Sequence, residues 1–310
     1  MNPRGAARSL ACALIGAAAV LGAGFPSTAL RASVNPALGV PASPGLRPTN
    51  IAMVPRSPRL GEVVFLNLAP EKELLRASCS WGGKSYSLLP NGPTYRVVLP
   101  VSLTTKPGGH HATLYWKHTD GTMGTQSIPV EVRARKFGVQ RLKLSAGQAS
   151  KYSAPKTARE RQLIGAALDV VTAERRWSGD FAMPVEGRIS TEFGLQRYVS
   201  GKFDYRHRGV DIACPEGTPV LAAAAGEVSL ADESFLLHGQ TVILDHGQGV
   251  STLYLHMSAI EVRPGEVVQQ GQLIGRVGST GVATGPHLHY AVYVHHEAVD
   301  PFFWAKLPNE

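Results

Sequence analysis

The sequence predicts a mainly β protein, with an N-terminal β-sandwich, a helical connector and a C-terminal antiparallel β domain. The first observation is a series of short runs rich in Val, Ile, Thr and aromatic residues, separated by turn clusters such as Asn91-Gly92-Pro93 and Asp120-Gly121. The second is that the apolar spacing of a helix stands out over one stretch, residues 157–176. The third is a content of 33 Gly and 22 Pro, which favours turns and loops over long helices.

The N-terminus has the features of an export signal. Arg4 and Arg8 precede an apolar run from Leu10 to Phe25, and small residues that suit a cleavage site follow it. We therefore predict a signal peptide over residues 1–32 and a flexible lead-in over residues 33–50. An uncleaved membrane anchor is the alternative, but the run is short for a bilayer span, which needs about 20 apolar residues.

The charge of the chain narrows the classes of partner. The formal net charge is +8, and the chain stays basic without Arg4 and Arg8 of the predicted signal. A basic exported protein is attracted to anionic wall polymers or to a lipid surface. Nucleic acid is not predicted as a partner, because no binding motif is visible and export argues against it.

Residues 51–135 are predicted to form one all-β domain. Five apolar runs predict strands, and the turn clusters between them keep each strand short. Several short strands at this spacing are typical of an immunoglobulin-like β-sandwich. The predicted strands are Glu62–Leu68, Ala77–Trp81, Tyr95–Val101, His111–Trp116 and Ser127–Val132.

Residues 136–183 are predicted to connect the two β domains through one helix. Thr157-Ala158-Arg159-Glu160 has the form of a capping box, which places a helix start after Pro155. Apolar residues then recur at helical spacing, so we expect a helix over about residues 157–176 with its charged side in solvent.

Residues 184–310 are predicted to form the second β domain. Runs such as Thr241–Asp245 and Leu288–Val294 predict strands, and few helical periods are present. The expected architecture is an antiparallel β domain with an open groove over one sheet face.

Three short motifs in this second domain supply four histidines and one carboxylate. Imidazole nitrogens and carboxylate oxygens are ligand types that Zn²⁺ takes in proteins. Side chains two positions apart share one face of a strand, so His287 should point the same way as His289, and Tyr254 the same way as His256. The sequence therefore predicts a metal site built from these strands. The motifs are His207-Arg208-Gly209-Val210-Asp211, Tyr254-Leu255-His256 and Gly285-Pro286-His287-Leu288-His289.

These motifs resemble those of the lysostaphin/LytM-type zinc metallopeptidases, which cut peptide cross-links in bacterial cell walls. The resemblance extends over roughly residues 184–301, too long a stretch for a chance motif match. The intervening segments that carry it are Gly209–Ala213, Pro215–Val220, Asp245–Gly247 and Gly278–Gly281.

The resemblance implies a metallopeptidase domain with one Zn²⁺, held by His207, Asp211 and His289. It also implies that His256 and His287 flank the metal as catalytic residues and transfer the proton of the attacking water. Histidine suits this task because its unperturbed pKa lies near neutrality. The implied function is that of an exported zinc metalloendopeptidase acting on peptidoglycan peptides in the periplasm or cell envelope, or outside the cell.

Two other functions remain open at this point. Some members of the family have lost ligands and act as wall-binding modules that activate a partner amidase. All five positions are present here, which favours an enzyme over such a non-catalytic module. An enzyme that cuts other secreted proteins is the second alternative.

The sequence departs from the family pattern between Asp232 and Gln240, where His238 lies in an apparent extension of a hairpin. This extension bears on the shape of the groove and therefore on substrate preference. Tyr198 and Tyr205 precede the first predicted ligand and are candidate oxyanion donors.

Overall fold

The computed structural model describes residues 50–142, 156–199 and 202–307. The predicted signal peptide and all but the last residue of the predicted lead-in lie outside this range. Within it, no helix combines the length and the apolar character that crossing a bilayer requires.

The N-terminal domain consists of two four-stranded antiparallel sheets that enclose one hydrophobic core. The sheets have the strand orders β1-β2-β6-β5 and β4-β3-β7-β8, and buried residues from both sheets, such as Leu66 and Leu114, belong to the same cluster. The alternation of buried and exposed residues along β7 and β8 is that of strands with one face on a core. The strands are β1 (Asn50–Val54), β2 (Val63–Ala69), β3 (Leu74–Trp81), β4 (Lys84–Ser87), β5 (Leu89–Asn91), β6 (Thr94–Pro100), β7 (Gly108–His118) and β8 (Met123–Val132).

The connector contains a strand, β9 (Val139–Leu142), and a helix, α1 (Lys156–Leu168). The prediction that the helix continues to residue 176 is wrong. The helix is followed by Val170, Val171 and Thr172, whose β-branched side chains are restricted in a helix. The backbone beyond it bonds to the C-terminal domain instead: the carbonyl of Thr172 accepts from the amide of Gln248 at 2.6 Å, and the amide of Arg176 donates to the carbonyl of His246 at 2.9 Å.

The C-terminal domain is built on a large antiparallel sheet. Its strand order is β10-β13-β21-β17-β16-β15-β19, and β22 pairs with β21 outside this path. Two three-stranded sheets accompany it: β14-β20-β18, and β12-β11-β9, in which β9 of the connector runs parallel to β11. The elements are β10 (Arg188–Thr191), β11 (Gln196–Val199), β12 (Lys202–Arg206), β13 (Val210–Ala213), β14 (Pro219–Leu221), β15 (Gly226–Asp232), β16 (Gln240–Gly247), β17 (Val250–Met257), β18 (Ala259–Ile260), β19 (Val267–Val268), β20 (Leu273–Arg276), β21 (His287–Val294), β22 (Glu297–Val299) and the short helix α2 (Pro301–Trp304).

The β-sandwich and the C-terminal domain share buried aromatic side chains. The Phe65 ring of β2 lies 5.8 Å from the Trp304 ring and 6.4 Å from the Trp177 ring, centroid to centroid. Apolar residues of α1, including Ile164 and Leu168, belong to the same buried cluster as the large sheet. The predicted mainly β fold class is confirmed, whereas the immunoglobulin-like topology of the sandwich stays a prediction.

Candidate metal centre and flanking histidines

The pairing of adjacent strands brings three of the predicted residues together. Asp211 of β13 lies directly opposite His289 of β21, and His207 comes three residues before β13. Residues opposite each other in an antiparallel pair project from the same face of the sheet. The side chains of Asp211 and His289 therefore meet on one face, where His207 joins them.

The polar atoms of these three residues form a compact, buried cluster. Asp211 Oδ1 lies 3.0 Å from His207 Nε2 and 2.8 Å from His289 Nδ1. The two imidazole nitrogens are 3.0 Å apart. His207 Nδ1 donates to the carbonyl of Glu192 at 3.0 Å, which leaves its Nε2 as the atom that faces the cluster.

The electrostatics of the cluster favour a carboxylate at Asp211 beside a neutral imidazole at His289. Burial alone would raise the pKa of Asp211, but its close contacts with His207 and His289 hold it well below its ordinary value. Burial lowers the pKa of His289 to about 4. A neutral imidazole has a lone pair for a metal, so these donors fit a catalytic Zn²⁺ site, with three protein ligands and one open position.

His256 and His287 lie beside this cluster. The centroid of the His256 ring is 4.9 Å from that of His287 and 6.4 Å from that of His289. His256 Nδ1 donates to the carbonyl of Thr280 at 2.9 Å, and His287 Nδ1 donates to the carbonyl of Gly285 at 2.8 Å. Each ring therefore keeps Nε2 available as a proton acceptor.

The environment of His256 favours its neutral form. Burial, followed by the neighbouring His287 and His289, lowers the pKa of His256 to about 3. A neutral imidazole can take up a proton during a reaction, which a permanently protonated one cannot.

The backbone at His256 differs from the predicted strand alternation. Leu255, rather than Tyr254, lies opposite His289, and Tyr254 lies opposite Tyr290 in the interior. His256 has a positive φ of 64°, next to an irregular stretch of the β16–β17 pairing. Because such irregularities re-aim side chains, His256 points toward the site although Tyr254 does not. The prediction that these two side chains share a face is wrong.

Arg197 is a site residue that sequence reasoning missed. Its guanidinium donates to Asp211 Oδ2 at 2.8 Å, to the Tyr205 hydroxyl at 2.6 Å and to Gln140 Oε1 at 3.0 Å. One carboxylate oxygen of Asp211 therefore contacts the two histidines, and the other accepts a hydrogen bond from Arg197. Arg197 precedes the first motif by ten residues in a strand without a distinctive pattern, so the sequence offers only its positive charge as a signal.

The two candidate oxyanion tyrosines differ in their surroundings. The Tyr205 hydroxyl is linked to Asp211 through Arg197. The ring of Tyr198 instead packs under the guanidinium of Arg141, at 5.7 Å. Tyr205 is therefore connected to the cluster through the Arg197 guanidinium.

Together, the antiparallel sheet and the buried His-Asp-His cluster define a domain of the metallopeptidase class. Residues 205–301 match the family described as Peptidase family M23. The C-terminal domain of this chain belongs to that family, which confirms the family predicted from the motifs.

Several known proteins are similar to the chain. A peptidase M23 crystal structure from Pseudomonas aeruginosa superposes with a TM-score of 0.60 at 28% identity, over 80% of this chain and 95% of that one. DD-carboxypeptidase/endopeptidase Mpg of Neisseria meningitidis is 41% identical over 114 residues, which are 37% of this chain and 26% of Mpg. Peptidoglycan DD-endopeptidase ShyA of Vibrio cholerae is 42% identical over 108 residues, 34% of this chain and 25% of ShyA. The chain therefore matches about a quarter of the length of these curated relatives.

Proposed function

We propose that the chain is an exported zinc metalloendopeptidase that hydrolyses the stem peptides or peptide cross-links of peptidoglycan in the cell envelope. The observation that carries the proposal is the convergence of His207, Asp211 and His289 in one buried cluster, with His256 and His287 beside it. The names of the Mpg and ShyA relatives support a peptidoglycan substrate for a domain of this family.

In the proposed mechanism, His207 Nε2, His289 Nδ1 and Asp211 Oδ1 would hold the metal. A bound Zn²⁺ would polarise the scissile carbonyl and lower the pKa of a water molecule to about 7. The carbonyl of Glu192 orients His207 and the guanidinium of Arg197 orients Asp211, so both ligands are held in place before substrate arrives.

The two flanking histidines supply proton transfer. When water adds to the peptide carbon, the Nε2 atom of His256 or His287 takes up its proton. The same imidazole returns that proton to the nitrogen of the departing amine, so the peptide bond breaks without a net change in the enzyme. The second imidazole, 4.9 Å away between ring centroids, borders the same space and, when protonated at Nε2, would donate to the carbonyl oxygen as charge develops there.

Digestion of purified peptidoglycan tests the proposal. Zinc-loaded protein should release new peptide ends, identified by mass spectrometry, and the His256→Ala variant should release none while keeping its zinc. His296→Ala is the matched control, because His296 is 43% exposed and pairs with Asp169 rather than with the cluster.

The outcomes separate the alternative functions. Equal release by His256→Ala and wild type would refute the assigned role of His256. Absence of new ends from zinc-loaded wild type, together with stimulation of an added amidase, would favour a non-catalytic activator. Cleavage of casein but not of peptidoglycan would favour an enzyme that acts on other secreted proteins.

A further inference from the structure

We propose that Glu160 of helix α1 is a positioning residue for His256, acting through the loop between β15 and β16 (residues 233–239, the β15–β16 loop). This inference rests on the proposed catalytic role of His256. It makes a helix of the connector part of the catalytic unit, and it gives the hairpin extension around His238 a function.

Glu160 binds the loop with both carboxylate oxygens. Oε1 accepts from the amide of Leu236 at 2.6 Å, and Oε2 accepts from the amide of Leu237 at 3.0 Å and from His238 Nδ1 at 3.0 Å. Glu160 is 4% exposed. Buried backbone amides need partners, and in this loop a side chain of a different element supplies them.

This arrangement replaces the predicted capping box. A capping box would turn Glu160 back toward the start of its own helix. Burial would raise the pKa of Glu160, but His238 and the loop amides outweigh it and keep the pKa below its ordinary value. The group that meets the loop is therefore a carboxylate that accepts several hydrogen bonds.

The loop in turn contacts the backbone of His256. The carbonyl of His238 accepts from the amide of His256 at 3.1 Å. The amide of Gln240 donates to Thr280 Oγ1 at 3.0 Å, while the carbonyl of Thr280 accepts from His256 Nδ1 at 2.9 Å. The loop thus contacts His256 directly, and Gln240, the residue that follows the loop, contacts the residue that orients the His256 ring.

The backbone conformation of His256 explains why such support is needed. A positive φ in a residue other than glycine is strained and persists only where surrounding contacts hold it. At a φ of 64°, His256 depends on the bonds at its amide and at its Nδ1, and both run to the loop or to Thr280. Loosening the loop should therefore let His256 relax away from the metal cluster.

The chain offers a matched control on the same helical segment. Asp169, just beyond α1, accepts from His296 Nδ1 at 2.6 Å, so it is also a carboxylate paired with a histidine of the C-terminal domain. Both partners of that pair are exposed and neither touches the metal cluster. Asp169→Asn removes an equivalent contact without affecting the loop.

The test compares the purified zinc-loaded full chain as wild type, Glu160→Gln and Asp169→Asn. Hydrogen–deuterium exchange should show faster exchange at the amide of His256 in Glu160→Gln, and wild-type exchange there in Asp169→Asn. On soluble peptidoglycan fragments, kcat of Glu160→Gln should fall roughly 10- to 100-fold with little change in KM, as expected for a misplaced catalytic group. Zinc content should be the same in all three proteins.

Gly239→Ala is a second variant in case Glu160→Gln does not fold. A Cβ at Gly239 would overlap the side chain and the backbone carbonyl of Thr280, so the loop would shift against the residue that orients His256 while Glu160 stays intact. Its expected effects on His256 exchange and on kcat are the same.

The inference would be overturned if Glu160→Gln folds and its loop amides exchange faster while exchange at the His256 amide is unchanged. Glu160 would then support the loop alone. An inactive wild type would count against the proposed function, and the exchange data would still decide whether Glu160 positions His256.

Discussion

Replacing Arg197 by methionine should weaken zinc binding, since Arg197 holds the oxygen of Asp211 that the cluster does not use. The guanidinium and Asp211 Oδ2 are 2.8 Å apart, and the two side chains are 14% and 9% exposed. Removing one partner of such a buried pair costs about 3–5 kcal/mol of unfolding free energy. We expect the lower end of this range, because His207 and His289 still bond Oδ1.

The effect on the metal follows from the same contact. Loss of a partner that orients a ligand typically reduces metal affinity by roughly 10- to 100-fold. Competition with a zinc chelator would measure this change, and denaturant unfolding of the metal-free proteins would measure the change in stability. Arg141→Met is the control, because Arg141 lies in the same three-stranded sheet over the Tyr198 ring and pairs with no ligand. Equal zinc affinity in Arg197→Met and Arg141→Met would refute the reasoning.

Three further predictions concern proton transfer, pH and the domain interface. His287→Ala should lower peptidase activity by roughly 10²- to 10⁴-fold and leave the zinc content unchanged, because the variant loses a proton-transfer group but no metal ligand. Product release and metal analysis would measure the two quantities. Burial lowers the pKa of His246 to about 4, from an ordinary value of 6.5. As pH falls from 6.5 to 4, His246 gains a proton in the unfolded chain but not in the folded one. The contribution of His246 to the free energy of unfolding should therefore drop by roughly 3 kcal/mol. His246→Asn should lose that part of the pH dependence in denaturant melts at pH 7 and pH 4, and an identical dependence would contradict the assignment. Phe65→Ala should lower the free energy of unfolding by about 3–5 kcal/mol and leave a single unfolding transition. Phe302→Ala is the control and should lower it little, because the Phe302 ring is exposed. Two separate transitions in the wild type would show that the domains unfold independently.

The proposed site could be anticipated from the sequence to the extent that its residues lie in short motifs on strands. His287 and His289 are two positions apart in one strand, and His207 and Asp211 flank the start of another. The local alternation of a strand fixes the side on which each residue lies. The error at Tyr254 has the same origin, because alternation applies to regular strands and the backbone at His256 is irregular.

The connector was predicted less well. The apolar spacing after Glu160 continues into Val171, which favoured a longer helix, yet the chain leaves the helix at Leu168. Beyond it, Thr172 and Arg176 bond to residues near Asp245 more than 60 positions away. Helical propensity is a weak preference that such tertiary bonds override.

The sequence by itself determined the mainly β class, the family and the motifs that carry the candidate ligands, because each depends on residue types at short separations. Only the tertiary structure decided that Arg197 meets Asp211, that Glu160 meets the β15–β16 loop and that His256 adopts a positive φ. These features join residues up to 78 positions apart. Local periodicity does not contain information about such partners, since each is chosen by the packing of the whole domain around buried polar groups that must be satisfied.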